Sequence, residues 1–343
     1  MVLKFKSISL TPFNNCDRFN LHTYIELWSK YEKVHFCHYF AFLTYVPFFH
    51  KKEVFYMISE YDAFGPWVYE IDEEHPIPKL FVPYVTDDPG RILMVKVPRQ
   101  IDRQDATPDM DLYDYVIGVD SDYLSIYART EGTRIVRSIK VEYNDVVAVS
   151  IKNVLLASEI VFMLDTGDTV HVPFNRLSFE LMERVVEAIR TRCDHKAVEL
   201  PDPVDPIKES DLKDTTFANK FADFKASAPN ARLGTLQTHI FMPPIFIPAS
   251  LSMYNDTELM IIEKPVDYDP ITSKYGYKIT YIALSNLKAV EIKESREYDR
   301  LYEVKFKLRN DKQNIKINIS TADQVAFYKE VFNADVKKGK RKR

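Results

Sequence analysis

Along residues 88–195 and again along 230–335, apolar residues alternate with polar ones in short runs separated by polar turns. Each series then closes on a helical spacing. Leu124 and Ile126 alternate within the block from Val119 to Arg129, and Leu259 and Ile261 do so in the block from Tyr254 to Lys264; both blocks end on a cation. Tyr143 to Lys152 is written again as Leu284 to Lys293, a polar turn followed by the same apolar spacing. Phe162 and Leu164 correspond to Phe306 and Leu308, and Val170, Val172 and Phe174 to Ile315, Ile317 and Ile319. Leu181, Val185, Val186 and Ile189 close the first series; Val325, Phe327, Tyr328 and Val331 close the second. The second series carries six additional residues around Pro270 and Gly276, which a hairpin loop would absorb. About six strands and one helix are therefore predicted twice.

Period-two alternation buries one face of each strand and wets the other, as in antiparallel sheets. Strands joined by short polar turns curl into a barrel or an orthogonal sandwich, whose open end one amphipathic helix can cover. This order of elements resembles the pleckstrin-homology superfold, closer to the bacterial PH-like and GRAM-like domains than to the phosphoinositide-binding eukaryotic ones. The resemblance implies a mainly β protein with α (α+β): two similar PH-like antiparallel barrels, each closed by a C-terminal helix, plus an N-terminal helical arm. The expected division is an N-terminal helical and irregular region over 1–87, a first repeat over 88–195, a Pro-rich acidic linker and helix over 196–229, a second repeat over 230–335, and a basic tail over 336–343.

Residues 1–87 match neither repeat. Leu21, Tyr24, Ile25, Trp28, Tyr31, His35, Tyr39 and Phe42 recur at steps of three and four, predicting one amphipathic helix from about Phe19 to Leu43. Glu53 to Ile58 reads as a strand, and Pro66, Pro76, Pro78 and Pro83 then exclude a continuing helix. In the linker, Pro201, Pro203 and Pro206 stiffen an acidic run. A helix over Asp211 to Ala226, with Leu212, Phe217, Phe221 and Phe224 on its apolar face, is expected to pack between or beneath the barrels.

At 343 residues and 46% hydrophobic, the chain has the length of two or three domains and can bury their cores. No apolar run reaches the roughly 18 to 20 residues that span a bilayer. The start of the chain lacks a signal-peptide pattern, and Cys16, Cys37 and Cys193 are odd in number and widely spaced, so the expected location is the cytoplasm. The formal net charge is −4, yet Lys337, Lys338, Lys340, Arg341, Lys342 and Arg343 supply six positive charges, which leaves −10 on residues 1–336. An acidic body lacks the basic stripe of a general nucleic-acid binder. The tail reads either as a solvated end or as a polybasic contact with an anionic lipid, RNA or an acidic partner.

Candidate chemistry is sparse. The eight glycines are too far apart for a phosphate-cradling loop, and no Gly-x-Ser-x-Gly elbow is present. Asp102, Asp105, Asp109, Asp111, Asp114, Asp120 and Asp122 form an acidic stretch without the glycine and closing glutamate of a calcium loop. Cys16, His22, His35, Cys37, His38 and His50 are the one enrichment of soft ligands; they admit a metal-dependent enzyme, but aromatic neighbours place them at a core edge instead. No catalytic residue, cofactor or metal is expected. The favoured reading is a non-catalytic scaffold whose tandem PH-like domains engage a protein partner through strand edges, loops or the helix-side groove. The alternative is a peripheral membrane protein that binds anionic lipid through Arg129, Arg134 and Arg137 and the basic tail.

Overall fold

The structure, a computed structural model, describes residues 59–86, 88–154, 157–193, 196–242, 245–264, 276–295, 298 and 300–337. The chain divides into two units, Met1–Phe55 and Tyr56–Arg343, and all the described residues belong to the second. The expected helix over 19–43, the strand over 53–58 and the hairpin loop around Pro270 lie outside the described residues.

The described chain is mostly β. A turn of helix, α1 (Glu60–Ala63), precedes a first sheet of five antiparallel strands in sequence order: β1 (Tyr69–Glu70), β2 (Leu93–Pro98), β3 (Tyr113–Val119), β4 (Tyr123–Arg129) and β5 (Val136–Glu142). After a 3-10 turn at Tyr143–Asp145 come β6 (Val146–Asn153), β7 (Ser158–Leu164), β8 (Thr169–Phe174) and α2 (Phe179–Arg190). The linker carries α3 (Thr215–Ser227). Then follow β9 (Arg232–Gln237), a hairpin of β10 (Ile240–Met242) and β11 (Ile245–Ile247), β12 (Ser250–Tyr254), β13 (Glu258–Glu263) and β14 (Tyr277–Ala283). A 3-10 turn at Leu284–Asn286 leads to β15 (Leu287–Glu294), β16 (Tyr302–Leu308), β17 (Asn314–Ile319), α4 (Ala322–Phe332) and β18 (Asp335–Lys337).

With β1 and the β10–β11 hairpin set aside, the segments β2–β8 with α2 and β9–β17 with α4 share one order, four strands, a 3-10 turn, three strands and a helix, which makes seven strands in each rather than about six. Among the described residues no sheet closes into a barrel. The three strands β8-β7-β6 of the first segment run straight into β14-β13-β12-β9 of the second, forming one seven-stranded sheet. The joint is antiparallel, from Tyr277↔Asn153 to Tyr281↔Val149. The remaining sheet has the order β17-β16-β15-β18, with β18 parallel to β15.

The joint explains where the cores sit. Leu259, Ile261 and Ile282 face the second segment's own core, with Val290, Ile292, Phe306 and Tyr328. The opposite face of the same strands, Met260, Ile262, Ile279 and Tyr281, completes the first segment's core together with Leu124, Ile126, Val149 and Ile151. A sheet apolar on both faces must be covered on both. The first sheet is covered twice as well: Met94, Val116, Tyr127 and Val136 on its outer face pack under Phe64 and Phe81. That is why all six residues of β2 are buried, including Lys96, whose Nζ donates to the Pro76 carbonyl at 2.9 Å and lies 5.0 Å from the Tyr113 ring.

The helices follow their sequence signals. Phe179, Met182, Val185, Val186 and Ile189 are the buried stripe of α2. α3 begins later than expected because the Asp214 carboxylate caps it, accepting from the Thr216 and Phe217 amides, and it buries Phe217, Phe221 and Phe224 against the first core. Thr321 and Gln324 form a capping box at the start of α4. Among the described residues no helix is long and apolar enough to cross a membrane.

Candidate functional site

The three arginines expected to bind anionic lipid are each held by an aspartate. Arg129 at the end of β4 donates from Nε to Asp114 Oδ1 at 2.8 Å and approaches it again through Nη2 at 2.6 Å, with only 8% of its side chain exposed. Arg134 meets Asp111 at 3.2 Å and donates to the Asp109 carbonyl at 3.3 Å. Arg137 on β5 reaches Asp168 at 3.8 Å. Asp114 and Asp111 of the acidic stretch are thus counter-ions of Arg129 and Arg134 in the fold, while Arg137 and its partner Asp168 stay 64% and 59% exposed. Lys264, the closing cation of the second series, is likewise buried and donates to Thr216 Oγ1 at 2.9 Å beside Asp214 at 3.4 Å, at the start of α3. Among the described residues no His, Cys, Asp and Glu group could hold a metal ion.

Of the basic tail, Lys337 is described, and it belongs to a strand. β18 pairs with β15 at Glu291↔Asp335, Ile292↔Val336 and Lys293↔Lys337. Lys337 Nζ donates to Glu291 Oε1 at 2.6 Å, and Lys307 Nζ to the same oxygen at 2.8 Å. These two bonds, Lys307 first, hold the Glu291 carboxyl down to about 2. By the block correspondence, Ser150, Ile151 and Lys152 of β6 match Glu291, Ile292 and Lys293 of β15. The edge that in the first segment carries β14 is therefore the edge that in the second carries only three residues, all of them exposed. Lys338, Lys340, Arg341, Lys342, Arg343 and the N-terminal His and Cys residues lie outside the described residues.

A cleft of about 430 Å³ opens at the joint, between α2, α3 and the face of β13 and β14 that completes the first segment's core. Val186, Phe224, Met260 and Tyr281 line it with apolar surface. On one side Arg190 donates from Nε to Glu258 Oε1 at 2.9 Å and from Nη2 to Oε2 at 2.5 Å, a bidentate pair, and from Nη1 to Glu187 Oε2 at 2.6 Å. Its guanidinium carbon sits 4.0 Å from the centre of the Tyr281 ring. Burial works against the Arg190 charge, but Glu258 outweighs it, so the proton is held more tightly than in a free arginine. Burial pushes the Tyr281 hydroxyl up, and it pushes the nearby Cys193 thiol up to about 12, which leaves no thiolate nucleophile at neutral pH.

Of the cleft residues, Val186 and Phe224 were expected only as apolar faces of helices, and none was expected to line a site. Glu180, Glu183 and Glu187 lie on α2 beside its buried stripe. Their significance depends on Met260 and Tyr281, which arrive from strands of the other segment. No protein-family model matches the chain, and no curated protein matches it either.

Proposed function

We propose that the protein is a non-catalytic scaffold in which two PH-like units, fused through a shared sheet and derived from one duplicated unit, engage a protein partner by strand addition. The twice-repeated order of four strands, three strands and a helix supports the PH-like reading. The observation that carries the binding mode is the β15 edge. Its counterpart β6 holds a full antiparallel strand, whereas β15 holds a three-residue parallel one. A sheet edge presents unpaired amides and carbonyls, so a partner strand gains main-chain hydrogen bonds there with little rearrangement. We read the compartment as the cytoplasm, which suits the free Cys193 thiol.

The test is affinity capture from native extract with two baits, the full chain and a chain ending at Ala334 that lacks β18 and the tail. A stoichiometric partner recovered in higher yield by the shortened bait supports the reading. Recovery of no stoichiometric partner by either bait, or equal yield from both, overturns it.

A further inference from the structure

β15 meets a strand on each side, and the two neighbours treat its charges in opposite ways. β16 runs antiparallel to it and sets Lys305 opposite Glu291, Val304 opposite Ile292 and Glu303 opposite Lys293, so each charge faces a counter-charge. β18 runs parallel and sets Asp335 opposite Glu291, Val336 opposite Ile292 and Lys337 opposite Lys293, so each charge faces its like. Both neighbours read acid, valine, lysine along the chain, and only their direction differs. Like charges directly across a strand pair destabilise it, whereas opposite charges stabilise it.

β18 is weakly seated in other respects. It is three residues long and exposed throughout; Val336 stays 39% exposed although it lies opposite the fully buried Ile292. Its ion pair to the sheet runs diagonally, from Lys337 back to Glu291 at 2.6 Å, and shares that carboxylate with Lys307. At the matching edge of the first segment, β6 carries β14 antiparallel from Tyr277↔Asn153 to Tyr281↔Val149, with Ile279 and Thr280 fully buried.

We infer that β18 is a placeholder on the β15 edge, and that the occupant this edge fits is an antiparallel strand of a partner protein reading acid, apolar residue, cation from its N- to its C-terminal end. The cation lies opposite Glu291, the apolar residue opposite Ile292 and the acid opposite Lys293, the arrangement that β16 already shows on the other side. Both like-charge pairs vanish when such a strand replaces β18, and the partner gains the main-chain hydrogen bonds of an open edge. Its apolar residue takes the place of Val336 beside Ile292 and the second core. A short, charged placeholder guards the edge against indiscriminate pairing, yet yields to a strand of better-matched charge.

This inference rests on the strand-addition reading and adds the pattern and direction of the partner strand. The probes are short threonine-flanked peptides labelled with fluorescein and centred on Glu-Val-Lys, Glu-Val-Glu or Lys-Val-Lys, titrated against the full chain by anisotropy. Each control brings a like-charge pair in either direction, so Glu-Val-Lys should bind about fivefold more tightly than both. Asp335→Lys with Lys337→Asp gives β18 itself the complementary order. That double change should weaken Glu-Val-Lys binding about tenfold and slow hydrogen exchange of the β18 amides by a similar factor. Equal affinity of the three peptides, or exchange no slower in the charge-swapped chain, overturns the placeholder. A wild-type chain that self-associates and becomes monomeric on deleting residues 335–343 also overturns it, and assigns the edge to a second copy's β18. A partner captured equally by wild-type and charge-swapped chains sinks the placeholder and leaves the scaffold standing. The expected order of peptide affinities with no partner captured does the reverse.

Discussion

Ser150 Oγ and Thr280 Oγ1 lie 2.9 Å apart, buried, in the middle of the strand pair that joins the two segments. Each hydroxyl is the other's partner in the shared sheet. Ser150→Ala is expected to strand Thr280 and cost about 1–3 kcal/mol, whereas Ser150→Ala with Thr280→Val removes both polar groups and recovers most of that loss. Urea denaturation of the cycle measures both. Because the joint belongs to both cores, hydrogen exchange should show them losing protection together.

The Arg190–Glu258 pair is the polar wall of the cleft, with side chains 15% and 7% exposed. Taking away one member leaves a buried charge uncompensated, so Glu258→Leu alone should destabilise the fold by about 3–5 kcal/mol. Adding Arg190→Met should restore stability to within about 1 kcal/mol of wild type. Thermal melts of the three variants decide the matter, and a mild single variant would mean that water reaches the pair.

Glu291 fastens β18 to its sheet. Lys307 and Lys337 depress its carboxyl from 4.5 to about 2. A depressed carboxyl stabilises the folded chain fully above the unfolded value, and that stabilisation fades as the pH falls from about 4.5 towards 2. A carboxyl-detected NMR titration should place the Glu291 midpoint near the lower figure, and Lys337→Ala should move it upward.

Cys193 is expected to be a slow nucleophile. Burial raises its thiol to about 12. In a chain with Cys16→Ser and Cys37→Ser, alkylation by iodoacetamide at mildly alkaline pH should run roughly a hundredfold slower than for free cysteine, and reach the free rate once urea unfolds the chain. Fast alkylation of the folded chain would show that the site opens.

Much of the local structure was legible. Phe162 and Leu164, or Ile315, Ile317 and Ile319, alternate as strands do and form them. The stripes ending at Ile189 and Val331 are helices. The Phe217, Phe221 and Phe224 spacing is a helix against the first core. The candidate site was not legible. Arg129 looked available because its counter-ion Asp114 stands on another strand, and Lys337 looked like free tail because β15 is distant in sequence. Residues 59–86, grouped with the N-terminal arm, instead cover the outer face of the first sheet through Phe64 and Phe81.

The sequence by itself determined the period, and hence the face, of most strands and helices, because alternation and three-to-four spacing report which side of an element avoids water. It also determined that the body is acidic. What covers each face, the tertiary structure alone decided. Ile279 and Tyr281 are apolar whatever they meet, and nothing in their own neighbourhood says that they meet Ile151 and Val149. Sheet pairing joins residues more than a hundred positions apart through main-chain hydrogen bonds common to every sequence. The joint, the cleft beside it and the short strand on the β15 edge therefore exist only in the folded chain.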